Sequence, residues 1–311
     1  MKEKLSTRMR QMTFRQFRGL IAIAEHGTIS AAARHLNLTP PAVSLQLREL
    51  EKAAEIPLYE RVDQRFVLTH AGNEVLGIAM RIESMLRECD QTLDALRGVD
   101  GGYISIGVVS TAKYFVPMVL AAFKKEYPKV KIHLQVGNRD SIIASLENLE
   151  LDFVISGRPP ENFEVESQCI GPHPQVIIAA PDHPMAGKKK VNLRDLVEET
   201  FLLREPGSGT RGMADQLLAE AGMDPQSASE FGSNETIKQA VIAGLGIALI
   251  SSHTVGAEIQ DNRLTTLNIE GLPEDRYWFV VRNKQKRLLP SSQALWDLFV
   301  ESGAKFLPTK S

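Results

Sequence analysis

The sequence predicts an α/β protein in three parts: a helix-turn-helix head with a two-stranded wing, one long helix, and a larger body of alternating strands and helices. Three observations predict it. Two short helical patterns separated by a brief turn occupy the stretch from Ser30 to Glu51. A proline-free run from Thr69 to Arg97 carries apolar residues at spacings of three and four. From Tyr103 onward, apolar strand-like runs alternate with helical stretches, the pattern of a mostly parallel sheet with helices on its faces.

Thr13 and Gln16 fit a capping box, and Phe14, Phe17, Ile21 and Ala24 recur at helical spacing up to a stop at Gly27. A second helix, "SAAARHL", takes Ser30 as its cap and ends at Asn37; its three alanines let a neighbouring helix approach closely. A tight turn leads to Thr39, the N-cap of a third helix. Pro40 and Pro41 then fill the first two helical positions, where backbone N–H groups have no intrahelical partner and a fixed φ is already helical. Val43, Leu47 and Leu50 mark the buried face of this helix. Pro41, Leu45 and Arg48 lie opposite, with Ser44 at the edge. An outward Leu45 suits a major groove, where it can touch a thymine methyl, or it packs against another part of the same chain. After this helix, "PLYERVDQRFVLT" places Arg61 and Arg65 around a turn between two short strands, a wing that can reach phosphates or a minor groove. Charge agrees with a polyanion contact at this end. Residues 1–70 hold 11 Lys and Arg against 7 Asp and Glu, which leaves 25 against 31 for the rest and hides behind a net charge of −2.

The continuous stretch "TISAAARHLNLTPPAVSLQLRELEKAAEIPLYERVDQRFVLTHAG" resembles, in order and spacing, the winged helix-turn-helix of LysR-type transcriptional regulators. The resemblance implies that the tip of the third helix reads bases of double-stranded DNA through Pro40, Pro41, Ser44 and Leu45. Many members of that family carry Gln at the position of Pro40 and Arg at that of Leu45, where this chain has no hydrogen-bonding side chain. With the flanking residues, the candidate DNA-binding set is Thr39, Pro40, Pro41, Ser44, Leu45, Arg48, Arg61 and Arg65.

Along the long helix, Ala79, Ile82, Leu86, Cys89, Leu93 and Leu96 form a heptad seam, and "RGVDGG", residues 97–102, breaks the chain after it. Such a seam packs on the chain's own body or pairs with a second copy. The resemblance implies pairing: a homodimer through this linker helix, a homotetramer built from dimers, and a partly palindromic promoter site.

The body resembles the effector domain of the same family, which is related in fold to periplasmic binding proteins and holds a small molecule between two lobes. The expected division is residues 1–70 for the DNA-binding head and 71–101 for the linker helix and hinge. Residues 102–311 form the effector domain, with lobe I at about 102–170 and 286–311 and lobe II at about 171–285. "RYWFVVRN" falls in lobe II on this reading. Sheets of this class bind ligands beyond the carboxyl ends of their strands. That rule selects Ser110 and Thr111 after "YISIGVV", Asn138, Arg139 and Asp140 after "KIHLQV", and Ser233, Asn234 and Thr236 before a later helix, although each alone also suits a helix cap.

"GSGTRG" has two readings. Gly207, Gly209 and Gly212 make a literal G-x-G-x-x-G after a strand, with Glu230 18 residues beyond the last glycine, as in a nicotinamide-dependent oxidoreductase. Alternatively Gly207, Ser208, Thr210 and Arg211 form an anion site at a helix start, or Arg211 simply pairs with a nearby acid. Within the family, "VGNRDSIIASLENLELDFVISGRPP", "PQVIIAAPDHPMAG" and "FLLREPGSGTR" look most similar to regulators of Calvin-cycle carbon-fixation operons. That resemblance implies phosphorylated sugars, phosphoglycolate or NADPH as the effector.

Other chemistry finds no footing in the sequence. The seven histidines show no metal spacing, and no Ser/His/Asp or paired-carboxylate arrangement can be assembled, so neither a catalytic set nor a metal or cofactor site is expected. "HPMAG" and "GPHP" read as loops. Cys89 and Cys169 are expected to be free thiols. With no signal peptide and no membrane span in the pattern, the expectation is a cytoplasmic regulator that binds DNA or, in a different class, a metabolite sensor acting by protein contact.

Overall fold

The computed structural model describes residues 11–62, 65–96, 101–222, 229–272 and 276–308. The chain separates into two compact units near residues 98–99.

The first unit contains α1 (Phe14–His26), α2 (Ile29–His35), α3 (Pro40–Ala54), β1 (Tyr59–Val62), β2 (Arg65–Leu68) and α4 (His70–Leu96). Thr13 and Gln16 close a reciprocal capping box on α1, and Gly27 ends the helix in the left-handed conformation. Only Gly27 and Thr28 then separate α1 from α2. Thr28, rather than the expected Ser30, therefore caps α2, its hydroxyl accepting the Ala31 N–H at 3.3 Å. Pro40 and Pro41 open α3 as expected, but the Thr39 hydroxyl makes no capping bond. Pro41 has no N–H to offer it, and the next donor, Ala42, is met by the Thr39 carbonyl at 3.0 Å. Leu20, Ile23, Ala32, Ala33, Val43, Leu47, Leu50 and Leu58 form the head core, which Ala71, Val75 and Leu76 of α4 help to cover. The head thus uses the first turns of the long helix. Gly72 permits this: a Cβ there would lie 1.8 Å from the Leu58 carbonyl oxygen, while the Gly72 N–H bonds the Thr69 hydroxyl at 3.0 Å.

The second unit has two lobes. In lobe I a five-stranded sheet has the order β4-β3-β5-β12-β6, from β3 (Tyr103–Val109), β4 (Lys131–Gly137), β5 (Phe153–Ser156), β6 (Val165–Pro172) and β12 (Tyr277–Asn283). β3 is parallel to β4 and β5, whereas β12 runs antiparallel to both β5 and β6. The helices α5 (Val116–Glu126), α6 (Arg139–Glu147) and α10 (Pro290–Ser302) belong to this lobe. Lobe II holds β7 (Gln175–Ala179) between β10 (Ala248–Ser251) and β11 (Thr265–Leu267), antiparallel to both. It also holds the parallel pair β8 (Leu202–Arg204) and β9 (Ser229–Phe231), with α7 (Gly209–Glu220), α8 (Asn234–Ile242) and the short α9 (Gly256–Gln260).

Two expectations are corrected here. The lobe I sheet is mixed and the three-stranded lobe II sheet antiparallel, rather than mostly parallel, and Tyr277–Asn283 lies in lobe I, so the return crossing falls before residue 277 rather than near 286. The reason is burial on both faces. Trp278 and Val280 enter the core of Phe115, Phe153, Trp296 and Phe299, and Val281 packs from the other side with Ile142 and Leu146. A strand covered on both faces reads as a plain apolar run and carries no sign of which sheet it joins. Among the described residues no helix is long and apolar enough to cross a membrane.

Candidate functional site

The two lobes of the body enclose a cavity of about 690 Å³. Its walls come from strand ends and helix starts: Ser110 and Thr111 after β3, Asn138, Arg139 and Asp140 at the start of α6, and the turn from Pro206 to Arg211 that opens α7. Each wall follows from local sequence. Asn138 caps α6 by accepting the Ser141 N–H at 2.9 Å. Gly207 takes φ +81°, and a Cβ on it would sit 2.9 Å from an Asp140 carboxylate oxygen. That close approach lets the Asp140 N–H donate to the Gly207 carbonyl at 3.2 Å, one direct bond between the lobes.

The second bond between the lobes comes from Arg204, a residue the sequence reading did not single out. Its guanidinium is 3% exposed and grips Glu205 with two hydrogen bonds of 2.7 Å each. Its remaining nitrogen donates to Ser110 Oγ at 3.2 Å and to Asn234 Oδ1. An arginine at the end of the apolar "FLLR" strand was the available signal.

Arg211 lines the cavity, but its fork is engaged. Nε donates to Asp215 at 2.8 Å, and Nη1 donates to the Arg204 carbonyl at 2.9 Å and to Glu230 at 3.3 Å. The structural ion pair is therefore the reading the geometry favours for Arg211. Glu230 pairs with this arginine at 3.3 Å, which gives it a place in the fold that owes nothing to a dinucleotide turn in "GSGTRG". Ser233 and Thr236 form the cap of α8, with the Thr236 N–H 3.1 Å from Ser233 Oγ. Neither they nor Asn234 line the cavity; Asn234 is 1% exposed, and its Oδ1 accepts from Arg204. Arg158, Glu161 and Arg276 join the walls from outside the expected set.

"GPHP" proved more than a loop. His173 sits where the chain crosses from lobe I to lobe II, 7% exposed, its N–H bonded to the Arg276 carbonyl on the returning crossing at 2.6 Å. Its ring stacks on Trp278 at 3.6 Å, and the Trp278 indole N–H donates to His253 Nδ1 at 3.1 Å. Burial, with His253 and Arg276 nearby, pushes His173 down to about 3, and burial pushes His253 down to about 4. Both are neutral in the folded body and titrate near 6.5 when unfolded, so their stabilisation is complete above pH 6.5 and is lost as pH falls toward 4. Between pH 7.5 and 5 the body is expected to lose roughly 2 to 4 kcal/mol, read from urea midpoints, and His173→Phe should flatten about half of that slope. A pH-independent midpoint would contradict the assignment.

In the head, Thr39, Pro40, Pro41 and Arg48 are exposed, Leu45 is 54% exposed, and Ser44 is half-buried, while Val43, Leu47 and Leu50 are enclosed. Arg61 and Arg65 stand on adjacent wing strands, and Arg61 lies over the Phe66 ring at 4.9 Å. The tip of α3 therefore leaves an apolar and hydroxyl-bearing face outward beside cations. Residues 14–73 match the lysR-family bacterial regulatory helix-turn-helix protein, and residues 97–304 match the LysR substrate binding domain. The chain belongs to the LysR family of bacterial transcriptional regulators.

Relatives of this LysR-type regulator span nearly its whole length. It is 47% identical to the HTH-type transcriptional regulator CbbR of Xanthobacter flavus, over 95% of this chain and 90% of that one. It is 39% identical to the RuBisCO operon transcriptional regulator of Allochromatium vinosum, over 94% and 97% of the two chains. Among solved structures, the regulatory domain of Synechocystis PCC6803 CcmR in complex with 2-PG is 36% identical, with a TM-score of 0.62, over 65% of this chain and 98% of that one. Full-length CbnR complexed with its target DNA shares the fold with a TM-score of 0.64 at 24% identity, over 93% and 99% of the chains.

Proposed function

We propose that this LysR-type regulator binds a partly palindromic promoter of carbon-fixation genes, as a homodimer through α4 that pairs into a homotetramer, and that a small anionic metabolite in the cleft changes this binding. The observation that carries the proposal is a cleft whose walls combine Arg139, Arg158, Arg211 and Arg276 with the opening of a twelve-residue helix that has no acidic residue in its first turn. Asp140, Glu161 and Asp215 offset part of that charge and Arg211 is held by Asp215 and Glu230, so the anion is met by the opening of the helix together with Arg139, Arg158 and Arg276. The relatives named for the RuBisCO operon and for 2-PG support phosphorylated metabolites as the effector class and carbon-fixation genes as the targets. In this reading the protein works in the cytoplasm, without catalysis or a resident cofactor, and NADPH remains a candidate effector rather than a coenzyme.

The test is operator binding by fluorescence anisotropy across salt concentrations, with and without phosphorylated metabolites. Affinity is expected to fall steeply with salt as Lys and Arg contacts release counterions. Arg61→Ala should weaken specific and random DNA alike and reduce the salt slope by about 1, whereas Leu45→Ala should shift preference at particular base pairs by about 1 to 3 kcal/mol. Equal losses on both DNAs from Leu45→Ala would remove base reading from that face. A chain that responds to metabolite yet never binds duplex DNA would instead be a sensor acting by protein contact.

A further inference from the structure

The floor of the cleft carries polar atoms that none of the described residues satisfies. Gln175, at the start of β7, is 2% exposed and His173 is 7% exposed, and both line the cavity. Among the described residues Gln175 Oε1 has no hydrogen-bond partner, and neither has His173 Nδ1 or Nε2. These orientations are determined by their neighbours. The Gln175 amide nitrogen donates to the His173 carbonyl at 3.2 Å, and turning the amide over would set two oxygens against each other, so Oε1 must be the free acceptor. Stacking on Trp278 at 3.6 Å holds the His173 ring in one plane.

The chemistry of such a floor is restrictive. A neutral imidazole offers one donor and one acceptor, and the Gln175 carbonyl offers acceptance only. A fully ionised phosphate or carboxylate has no hydrogen to give Oε1. An ammonium could give one, but the arginines of the wall disfavour a cation. An alcohol both donates and accepts, and so answers Gln175 and His173 together. Buried polar atoms left unpaired are costly, which makes a ligand that supplies hydroxyls strongly preferred over one of the same shape that does not.

We propose that Gln175 and His173 form a hydroxyl-reading subsite, so that the effector is a polyhydroxylated phosphate whose charged end meets the arginines and whose alcohol end reaches the floor. This rests on the cleft being the effector site. A cavity of about 690 Å³ has room for a chain of several carbons between the two ends. Because His173 and Gln175 lie on the crossing between lobes, a ligand held there bonds directly to the segment about which the lobes would move.

The experiment titrates the full-length protein by calorimetry with ribitol 5-phosphate and n-pentyl phosphate, which match in chain length and charge and differ in their hydroxyls. Ribitol 5-phosphate is expected to bind about 10-fold or more tightly. Gln175→Met should bring that ratio close to one without weakening n-pentyl phosphate. Equal binding of the two by the wild type would overturn the subsite and leave the anion reading standing, and this comparison does not depend on the variant folding. An equal loss of both probes in Gln175→Met would make Gln175 a structural residue. Binding of neither probe would overturn both the subsite and the anionic-effector reading.

Discussion

A chain carrying Met85→Lys and Leu93→Lys is expected to bind a two-fold symmetric operator at least about 100-fold more weakly than the wild type, because it loses the linkage between two heads. The seam read from sequence as Ala79, Ile82, Leu86, Cys89, Leu93 and Leu96 is shifted in the structure. Ala79 is 1% exposed on the side of α4 that takes part in head packing, where Arg18 of α1 grips Glu83 with bonds of 2.9 and 3.0 Å. Ile82 and Leu86 are half-buried, Cys89 and Leu93 are exposed, and the side chain of Leu96 lies outside the described residues. Ile78 at 45%, Met85 at 64% and Leu93 at 46% exposure join Ile82 and Cys89 in one stripe at steps of three and four. A stripe this apolar on a charged helix suits a second copy. Lysines at two of its positions would face their own counterparts across a symmetric seam, and burying like charges there is costly. Since both residues are exposed in the single chain, the variant should still fold with a cooperative thermal transition, lowered only by the stabilisation that pairing supplied. Sedimentation should show half the wild-type mass for the dimer, and wild-type mass with wild-type operator affinity would place the dimer elsewhere.

Arg204→Met is expected to destabilise the body by about 3 kcal/mol, at the lower end of the range for breaking a buried ion pair because the Glu205 side chain keeps 23% of its exposure. At about 2 to 4 °C for each kcal/mol in a domain of this size, the melting midpoint should fall by roughly 6 to 12 °C. The loss has several parts. Glu205 keeps its charge without its two-bond partner, Ser110 and Asn234 lose a donor, and the lobes lose one of their direct links. Adding Glu205→Gln to the same chain should recover part of the midpoint by removing the uncompensated carboxylate, and the double-mutant cycle measures that coupling. A fall of less than about 2 °C would mean that Arg204 is incidental to the join between lobes.

Ser110, Thr111, Asn138, Arg139 and Asp140 could be chosen from sequence because strand ends followed by polar residues and a helix start mark the binding edge of an α/β sheet wherever they occur. Arg211 and Arg204 could not be ranked the same way. Both sit within one short stretch, and what separates them is the identity of distant partners: Asp215 and Glu230 for the first, Ser110 and Asn234 for the second. Ser233, Asn234 and Thr236 carried the same signal, but none of the three lines the cavity, and Asn234 lies buried behind Ser110 on Arg204. His173 was missed because two flanking prolines read as a loop, while its burial is created by Trp278 and His253 far along the chain.

Most of the head is legible from its residues alone: the capping box of the first helix, the proline-started third helix, the outward Leu45 and the two-stranded wing follow from interactions within a few residues or across one turn, whereas the cap of the second helix falls on Thr28 instead of Ser30. The sequence also determined that α4 is one unbroken helix with an apolar stripe. Which lobe holds Tyr277–Asn283, which arginine joins the lobes and which polar side chains stay unpaired on the cavity floor depend on long-range packing. Local patterns are fixed by backbone geometry and neighbouring side chains, and the sequence displays these in order. Burial and pairing between residues a hundred positions apart depend on which strands meet in the finished sheet, and no local pattern records that choice.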